Sequence, residues 1–245
     1  MKAMIFAAGL GTRLKPLTDT IPKALVPING KPLLEYVILK LKNTGFNEII
    51  VNVHHFPDLI IDFLKSKNNF DIRIEISDER EMLLDTGGGI KKAAYFFDDD
   101  KPFLVHNVDI LSNVDLLEVY QQHLMDENRL SSMVVSYRDT FRYLLFDEQK
   151  LLHGWVNTKT NETKPEQNMD ISLFQKYAYS GIQVVSPKIF ELMEKQEEKF
   201  PIIDFYLQSC QSAKIVGFVP ENLQIMDMGK VETLNKGEEF VKSNF

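Results

Sequence analysis

Cysteine is nearly absent: Cys210 stands alone among 245 residues. A single thiol excludes an internal disulfide framework and a multi-cysteine metal site, and it fits a reducing compartment. No apolar run approaches the roughly 18 residues of a membrane-spanning helix. The opening Met1-Lys2-Ala3-Met4-Ile5-Phe6-Ala7-Ala8-Gly9 reaches a glycine before it could form a signal-peptide core. A cytoplasmic location with no membrane partner is therefore expected. Positive charge is also scarce, with 28 Lys and Arg against 35 Asp and Glu and a net charge of −7. The chain as a whole then has no generic attraction for nucleic acid or anionic lipid, and any phosphate must be held by a local site. The 12 glycines and 10 prolines are too few for collagen-like or low-complexity sequence, and 44% hydrophobic residues exclude a disordered chain. The five histidines show no metal-ligand spacing, and the adjacent His54 and His55 would face opposite sides of a strand. No Ser/His/Asp or Cys/His arrangement is evident. No hexapeptide repeat is present in these residues, so no β-helix is expected within them.

At roughly 150 residues per domain, this length allows one large domain or one and a half. Residues 3–8 read as a buried strand running into a loop rich in Gly, Thr and Pro. Residues 32–44 read as a helix, with Pro32 at its start and Gly45 past its end. Strands are predicted at 48–53, 72–76 and 103–106, and helices at 57–67, 89–97 and 114–128. Strand and helix alternate through this half, the pattern of a parallel sheet covered on both faces. Beyond residue 130 the strands 133–137, 143–146 and 151–156 have short connections, as antiparallel hairpins do. Residues 157–172 are polar, contain Pro165 and read as a loop. A strand at 177–185, helices at 187–197 and 202–210, a strand at 214–219 and a helix at 231–242 follow. The second half reads as an elaboration on the first sheet.

The strongest local signal is Gly9-Leu10-Gly11-Thr12-Arg13 after the first strand, with Pro22-Lys23 ten residues on. Glycines let backbone N–H groups approach a phosphate, Arg offers a planar fork to its oxygens, and Lys offers a point charge. A plain tight turn with a surface Arg and Lys is one reading. A dinucleotide fingerprint fails because Leu14 stands where the third glycine belongs, and a Walker loop fails for want of a closing G-K-[ST]. The G-x-G-T-R…P-K pattern, extended through Lys31-Pro32-Leu33, closely resembles the signature of the sugar-phosphate nucleotidyltransferases. The resemblance covers nearly the whole chain, tight at residues 3–33 and loose at 140–175.

That resemblance implies an α/β fold: a Rossmann-like mixed, mostly parallel sheet sandwiched by helices, with an inserted antiparallel hairpin region on the sugar side. Residues 1–245 would form one unit, 1–130 the nucleotide-binding half and 131–245 the sugar-binding half. The Gly9–Arg13 loop, with Gly11 and Thr12, would wrap the triphosphate of an NTP. Arg13 would hold the departing β- and γ-phosphates, and Lys23 would sit on the α-phosphate. The Ala7-Ala8 backbone would lie beside the base. Asn107-Val108-Asp109 resembles the family's N-G-D segment, and Ile225-Met226-Asp227-Met228-Gly229 its W-x-D-x-G-T segment. Asp109 and Asp227 thereby take the positions of the two Mg²⁺ ligands, and two carboxylates with waters and substrate phosphates are enough for that ion. Val108, Met226 and Lys230 replace the family's usual Gly, Trp and Thr. His106, close to Asp109, is kept as a pocket candidate.

Leu84-Asp85-Thr86-Gly87-Gly88-Gly89-Ile90 resembles the E-T-G-G-G-I of the muramate-1-phosphate uridylyltransferase-like members, with Asp85 for Glu. Read as a turn, it would place Asp85, Gly87 and Gly88 against a base. A flexible turn is the plainer reading. On the sugar side, Lys159 and Lys164 both echo an E-K-P context, and Gly181 resembles a glycine backing the sugar; a solvated loop lysine is an equal reading of either. The implied reaction joins an NTP, UTP before GTP and CTP, to a sugar 1-phosphate with release of pyrophosphate, in the supply of nucleotide sugars for cell-envelope polysaccharide. A silent nucleotide-sugar sensor is the rival from another class. A cytidylyltransferase of a phosphorylated alcohol such as phosphocholine is a third reading, kept open by Phe141, Tyr143 and Trp155 as a cage. The base, the sugar and the oligomeric state stay open, a homodimer among the options.

Overall fold

Ala3 and Ile5 face one apolar cluster, while Met4 between them faces another. Ile49 and Val51 alternate with Ile50 in the same way, and Leu104 with Phe103 and Val105. Period-two alternation between two buried faces is what a central strand of a doubly covered sheet requires.

The computed structural model describes residues 1–244. Its elements run β1 (Lys2–Phe6), β2 (Pro27–Ile28), β3 (Lys31–Pro32), α1 (Leu33–Asn43), β4 (Glu48–Val53), α2 (Pro57–Ser66) and β5 (Arg73–Asp78). There follow α3 (Asp85–Lys92), β6 (Phe103–Asn107), β7 (Ile110–Ser112), α4 (Leu116–Leu124), β8 (Arg129–Ser136), β9 (Arg142–Phe146), β10 (Leu152–Asn157) and β11 (Glu162–Lys164). β12 (Gln175–Val185), α5 (Ile189–Met193), α6 (Ile202–Ser209), β13 (Lys214–Phe218), β14 (Ile225–Asp227) and α7 (Val231–Asn244) complete the order.

The main sheet is mixed, with a parallel core in the order β6-β1-β4-β5. β12 joins β6 antiparallel and carries β8 and β9, while β9, β10 and β11 form the antiparallel meander. Leu33, Ile60, Leu116 and Val241 bring α1, α2, α4 and α7 onto one face; Ile90, Ile189 and Phe205 bring α3, α5 and α6 onto the other. This is the Rossmann-like arrangement with inserted hairpins expected from the sequence. Among the described residues no helix is long and apolar enough to cross a membrane.

Two local expectations need correction. The stretch 157–172 is not all loop, because β11 pairs with β10 and Ile171–Leu173 forms a 3-10 turn. Gly87 and Gly88 are not a turn before a helix that starts at residue 89: α3 begins at Asp85, contains both and ends at Lys92. Helix propensity disfavours such a run, but tertiary packing demands it. The Gly87 and Gly88 N–H groups donate to the Phe200 carbonyl at 2.8 and 3.2 Å, so the helix backbone lies directly on the chain at 198–200. A Cβ on Gly88 would overlap the Glu198 carbonyl oxygen, and one on Gly87 would overlap the Phe200 ring. Gly88→Ala would gain up to about 1 kcal/mol in propensity, yet backbone cannot yield as a side-chain tip can. We expect a net loss of about 2 kcal/mol, roughly 4–8 °C in Tm. Gly9→Ala, with open space around its Cβ, should leave thermal unfolding unchanged.

Buried histidines make the fold acid-sensitive. His123 on α4 lies between Ser132 and Ser186, with Nδ1 and Nε2 each 2.9 Å from a hydroxyl. Ser186 already donates to the Arg129 carbonyl, so it accepts from Nε2–H, and Nδ1 accepts from Ser132. Burial pushes the His123 pKa from 6.5 down to about 4 and that of His106 down to about 3. Both are lowered on folding, so the unfolded chain takes up protons first as the pH falls. The histidines' contribution to stability is full above pH 6.5 and is lost toward pH 4, that of His123 being on the order of 3 kcal/mol. Urea midpoints should therefore fall between pH 7 and 5, above the main carboxylate range; a flat profile there would contradict it.

Candidate functional site

The parallel strands β1, β4 and β6 all end on one side of the sheet, where open α/β sheets hold their ligands. A cavity of about 220 Å³ lies there. One wall is Phe6, Ala7, Ala8 and Gly9, the end of β1 and the start of its loop. The facing wall is Leu83, Asp85 and Thr86 at the entry to α3. Asn52 from β4, Asn107 at the end of β6 and Val108 and Asp109 just beyond it close the base, and Lys23 reaches in from a 3-10 turn.

The glycine loop folds back on itself. Gly11 has φ of 66°, where a side chain would be strained, and its carbonyl accepts the Leu14 N–H and the Thr18 hydroxyl, each at 2.8 Å. That turn leaves Thr12 and Arg13 exposed on the rim, with the Leu14 side chain buried beneath.

The two aspartates, distant in sequence, meet through a short ladder with no strong sequence signal. β14 pairs with β7, setting Asp227 opposite Ile110, and the Met228 N–H donates to the Asp109 carbonyl at 2.8 Å. The Asp227 carboxylate accepts the Gly229 N–H at 2.8 Å. Beside Gly229, where a Cβ would stand, Arg13 Nη2 and Asp227 Oδ1 come within 2.7 Å of one point and Lys23 Nζ within 2.9 Å. Lys23 Nζ also donates to Asp109 Oδ2 in a largely buried ion pair. Arg13, Lys23, Asp109 and Asp227 are thus gathered at one spot on the cavity rim. The donor set suits a hard cation: two carboxylates, of which Asp109 already holds the Lys23 ammonium.

Other candidates sit elsewhere. Gly87 and Gly88 face Phe200 and Glu198 and do not line the cavity, whose wall uses Asp85 and Thr86 instead. His106 is buried, donates Nδ1–H to the Asn107 carbonyl at 2.8 Å, and is not a lining residue. Gly181, at φ of 73°, backs Asn107: a Cβ there would stand 2.9 Å from its Nδ2. Val108 fills the family's glycine position by turning into the core, its N–H donating to the Phe6 carbonyl at 3.1 Å. Lys164 lines a second cavity of about 460 Å³ with Arg142, Trp155, Tyr179 and Asp204, and pairs with Asp204 at 3.0 Å. Lys159 lies outside that cavity, over the exposed Phe141 ring. Of the three aromatics weighed as a cage, only Trp155 lines it.

Phe6, Leu83, Thr86 and Asn52 line the cavity without having been foreseen, and Glu79 behind it, bonded to Asn52, was not foreseen either. The Asn52 side-chain oxygen accepts the Ala7 and Ala8 N–H groups at 2.7 and 3.3 Å. Its amide donates to Glu79, a carboxyl 1% exposed, whose pKa is raised by burial against the pull of its hydrogen bonds from Asn52 and Leu84. A polar residue inside the apolar run EIIVNV was a signal for Asn52, whereas Glu79 within Ser77-Asp78-Glu79-Arg80 resembles any charged turn.

A Rossmann-like sheet with a glycine loop, two cations and two aspartates at its strand ends defines a phosphate-handling nucleotide fold. The chain belongs to the nucleotidyl transferase family, whose model matches residues 2–244. It is 41% identical over 121 residues to the N-acetylmuramate alpha-1-phosphate uridylyltransferase of Neisseria meningitidis serogroup B, covering 49% of this chain and 52% of that one. It is 34% identical over 214 residues to a probable mannose-1-phosphate guanylyltransferase of Oryza sativa subsp. japonica, covering 83% and 56%. Among solved structures, HddC from Yersinia pseudotuberculosis complexed with GMP-PN superposes with a TM-score of 0.77 at 25% identity, covering 98% of this chain and 99% of that one. The chain spans between 45% and 63% of the length of the first curated relatives it matches.

Proposed function

We propose that the protein transfers a nucleotidyl group from an NTP to a sugar 1-phosphate, giving an NDP-sugar and pyrophosphate. The observation that carries this reading is the meeting of Arg13, Lys23 and Asp227 beside Gly229, with Asp109 paired to Lys23, at the rim of the strand-end cavity. The attacking phosphate monoester has a second pKa of about 6 and is largely ionised at neutral pH. It needs no general base. What it needs is alignment of two polyanions and neutralisation of their charge, which fixed cations supply.

In this reading Ala7, Ala8, Asp85 and Thr86 flank the base, Gly9–Arg13 holds the triphosphate, and Lys23 serves the α-phosphate. Asp109 and Asp227 would hold Mg²⁺, which when bound supplies charge neutralisation at the reacting phosphates. Lys164, in a cavity walled by Trp155 and Tyr179, is favoured over Lys159 for the sugar phosphate. Residues 1–130 form the nucleotide half and 131–245 the sugar half of one unit, working in the cytoplasm where NTPs are abundant.

UTP is placed first because Asp85–Ile90 resembles the uridylyl branch, to which the N. meningitidis relative belongs by name. GTP is the second reading, favoured by the likeness to the GMP-PN complex of HddC. The test is pyrophosphate release from each NTP against a panel of sugar 1-phosphates with Mg²⁺. Release with GTP and none with UTP would reverse the base assignment. No release from any pairing would reject the enzyme and leave the silent sensor.

A further inference from the structure

The buried Glu79 carboxylate ties together the two facing walls of the strand-end cavity. One of its oxygens accepts Asn52 Nδ2 at 2.8 Å and the other accepts the Leu84 N–H at 3.1 Å. Leu84 is itself buried, and its chain neighbours Leu83 and Asp85 line the cavity wall. Through Asn52, whose Oδ1 takes the Ala7 and Ala8 N–H groups, the same carboxylate governs the opposite wall. A carboxylate accepts on both oxygens and donates nothing, so it fixes the orientation of the Asn52 amide: Nδ2 toward Glu79 and Oδ1 toward the loop. Space for this pair is kept by Gly89, where a Cβ would stand 3.1 Å from Glu79 Oε1 and 3.2 Å from Asn52 Nδ2. The β1–β4 ladder has already ended at the Phe6–Asn52 pair, so these bonds continue the contact into the loop. An apolar pair could fill the same volume without desolvating a charge.

We propose that Asn52 and Glu79 are positioning residues that set base selectivity: their amide–carboxylate pair fixes the gap between Ala7–Ala8 and Leu83–Thr86 in which the NTP base lies. This rests on the nucleotidyl-transfer reading. The base stacks in a slot whose width depends on two hydrogen bonds to one side chain, so loosening either bond admits other bases. The sugar phosphate is bound elsewhere and is indifferent to the change.

The test reverses the polarity of the pair. Glu79→Gln leaves one acceptor oxygen for two donors. Asn52→Asp sets two carboxylates against each other. The double variant Asn52→Asp/Glu79→Gln satisfies every bond again: the introduced carboxylate accepts from Ala7, Ala8 and the introduced amide, whose oxygen accepts the Leu84 N–H. Calorimetric Kd values for UTP, GTP, CTP and dTTP, kcat and KM for both substrates, and Tm are measured on all forms. Each single variant should raise the preferred nucleotide's Kd at least about tenfold and shrink the gap to the next nucleotide. The double variant should return both to within about threefold of wild type, with the sugar-phosphate KM within about twofold throughout. Single variants with unchanged affinity and ranking would overturn the proposal. So would a double variant that regains Tm without regaining affinity and ranking. If the single variants do not fold, the double variant is read against Gly89→Ala, which crowds the same pair and should widen base choice; unchanged base choice there would equally overturn it. Wild type that binds NTP without releasing pyrophosphate would sink the catalytic reading alone, because the Kd comparison still decides the positioning role.

Discussion

Asp109→Asn should reduce turnover at least about a hundredfold while leaving the fold in place. The substitution keeps the size and planarity of the side chain. The backbone carbonyl that receives the Met228 N–H is untouched, so the β7–β14 ladder holding Asp227 stays formed. What is lost is one negative charge. Lys23 loses its buried counter-ion, and a cation at this spot loses one of two carboxylates. Thermal unfolding should shift by no more than a few degrees, because an amide oxygen can still accept from Lys23. Wild-type pyrophosphate release should stop in EDTA and return with Mg²⁺. Equal wild-type rates in EDTA and in Mg²⁺ would sink the metal assignment to Asp109 and Asp227.

The parallel core and the glycine loop at its strand ends were legible in the sequence for a physical reason. Continuous apolar runs such as EIIVNV occur where both faces of a strand are buried, and the glycine loop follows the first of these strands directly. The pairing of β14 with β7 was not legible, since three residues carry no periodicity and their partner lies more than a hundred positions away. Only the resemblance at Asp227 pointed there. The glycines of α3 misled because Gly-Gly-Gly is a turn signal when taken locally. Gly87 and Gly88 are glycine because of the chain at 198–200, and Gly89 because of the Asn52–Glu79 pair, neither of which anything nearby in sequence announces. Glu79 was hidden in the opposite way. Its neighbours are charged and its pattern is that of a surface turn, yet the fold closes over it and its acidity changes accordingly. Polar residues that organise a site through other residues leave little trace in composition or period.

Arg13 and Lys23 should separate in kinetics although they stand close together. Arg13 is exposed on the rim and, among the described residues, forms no ion pair that would hold it back from an incoming triphosphate. It grips phosphates that are anionic before and during transfer, so it stabilises ground and transition states alike. Arg13→Ala should raise the KM for NTP at least about tenfold with little change in kcat. Lys23 is different: its ammonium is engaged by Asp109. To serve the α-phosphate it must exchange one anion for another, so part of its attraction to the bound NTP is offset by the partner it leaves. The gain is largest when charge builds on the α-phosphate during transfer, which makes the contribution one to kcat. Lys23→Ala should lower kcat about a hundredfold or more with KM for NTP changed by less than about threefold. The same substitution removes a competing cation from Asp109, so Mn²⁺ binding without nucleotide should be at least as tight as in the wild type. Both variants raising KM with kcat intact would reject this division of roles, and weaker Mn²⁺ binding by Lys23→Ala would show that the ammonium supports the cation site instead of competing for it.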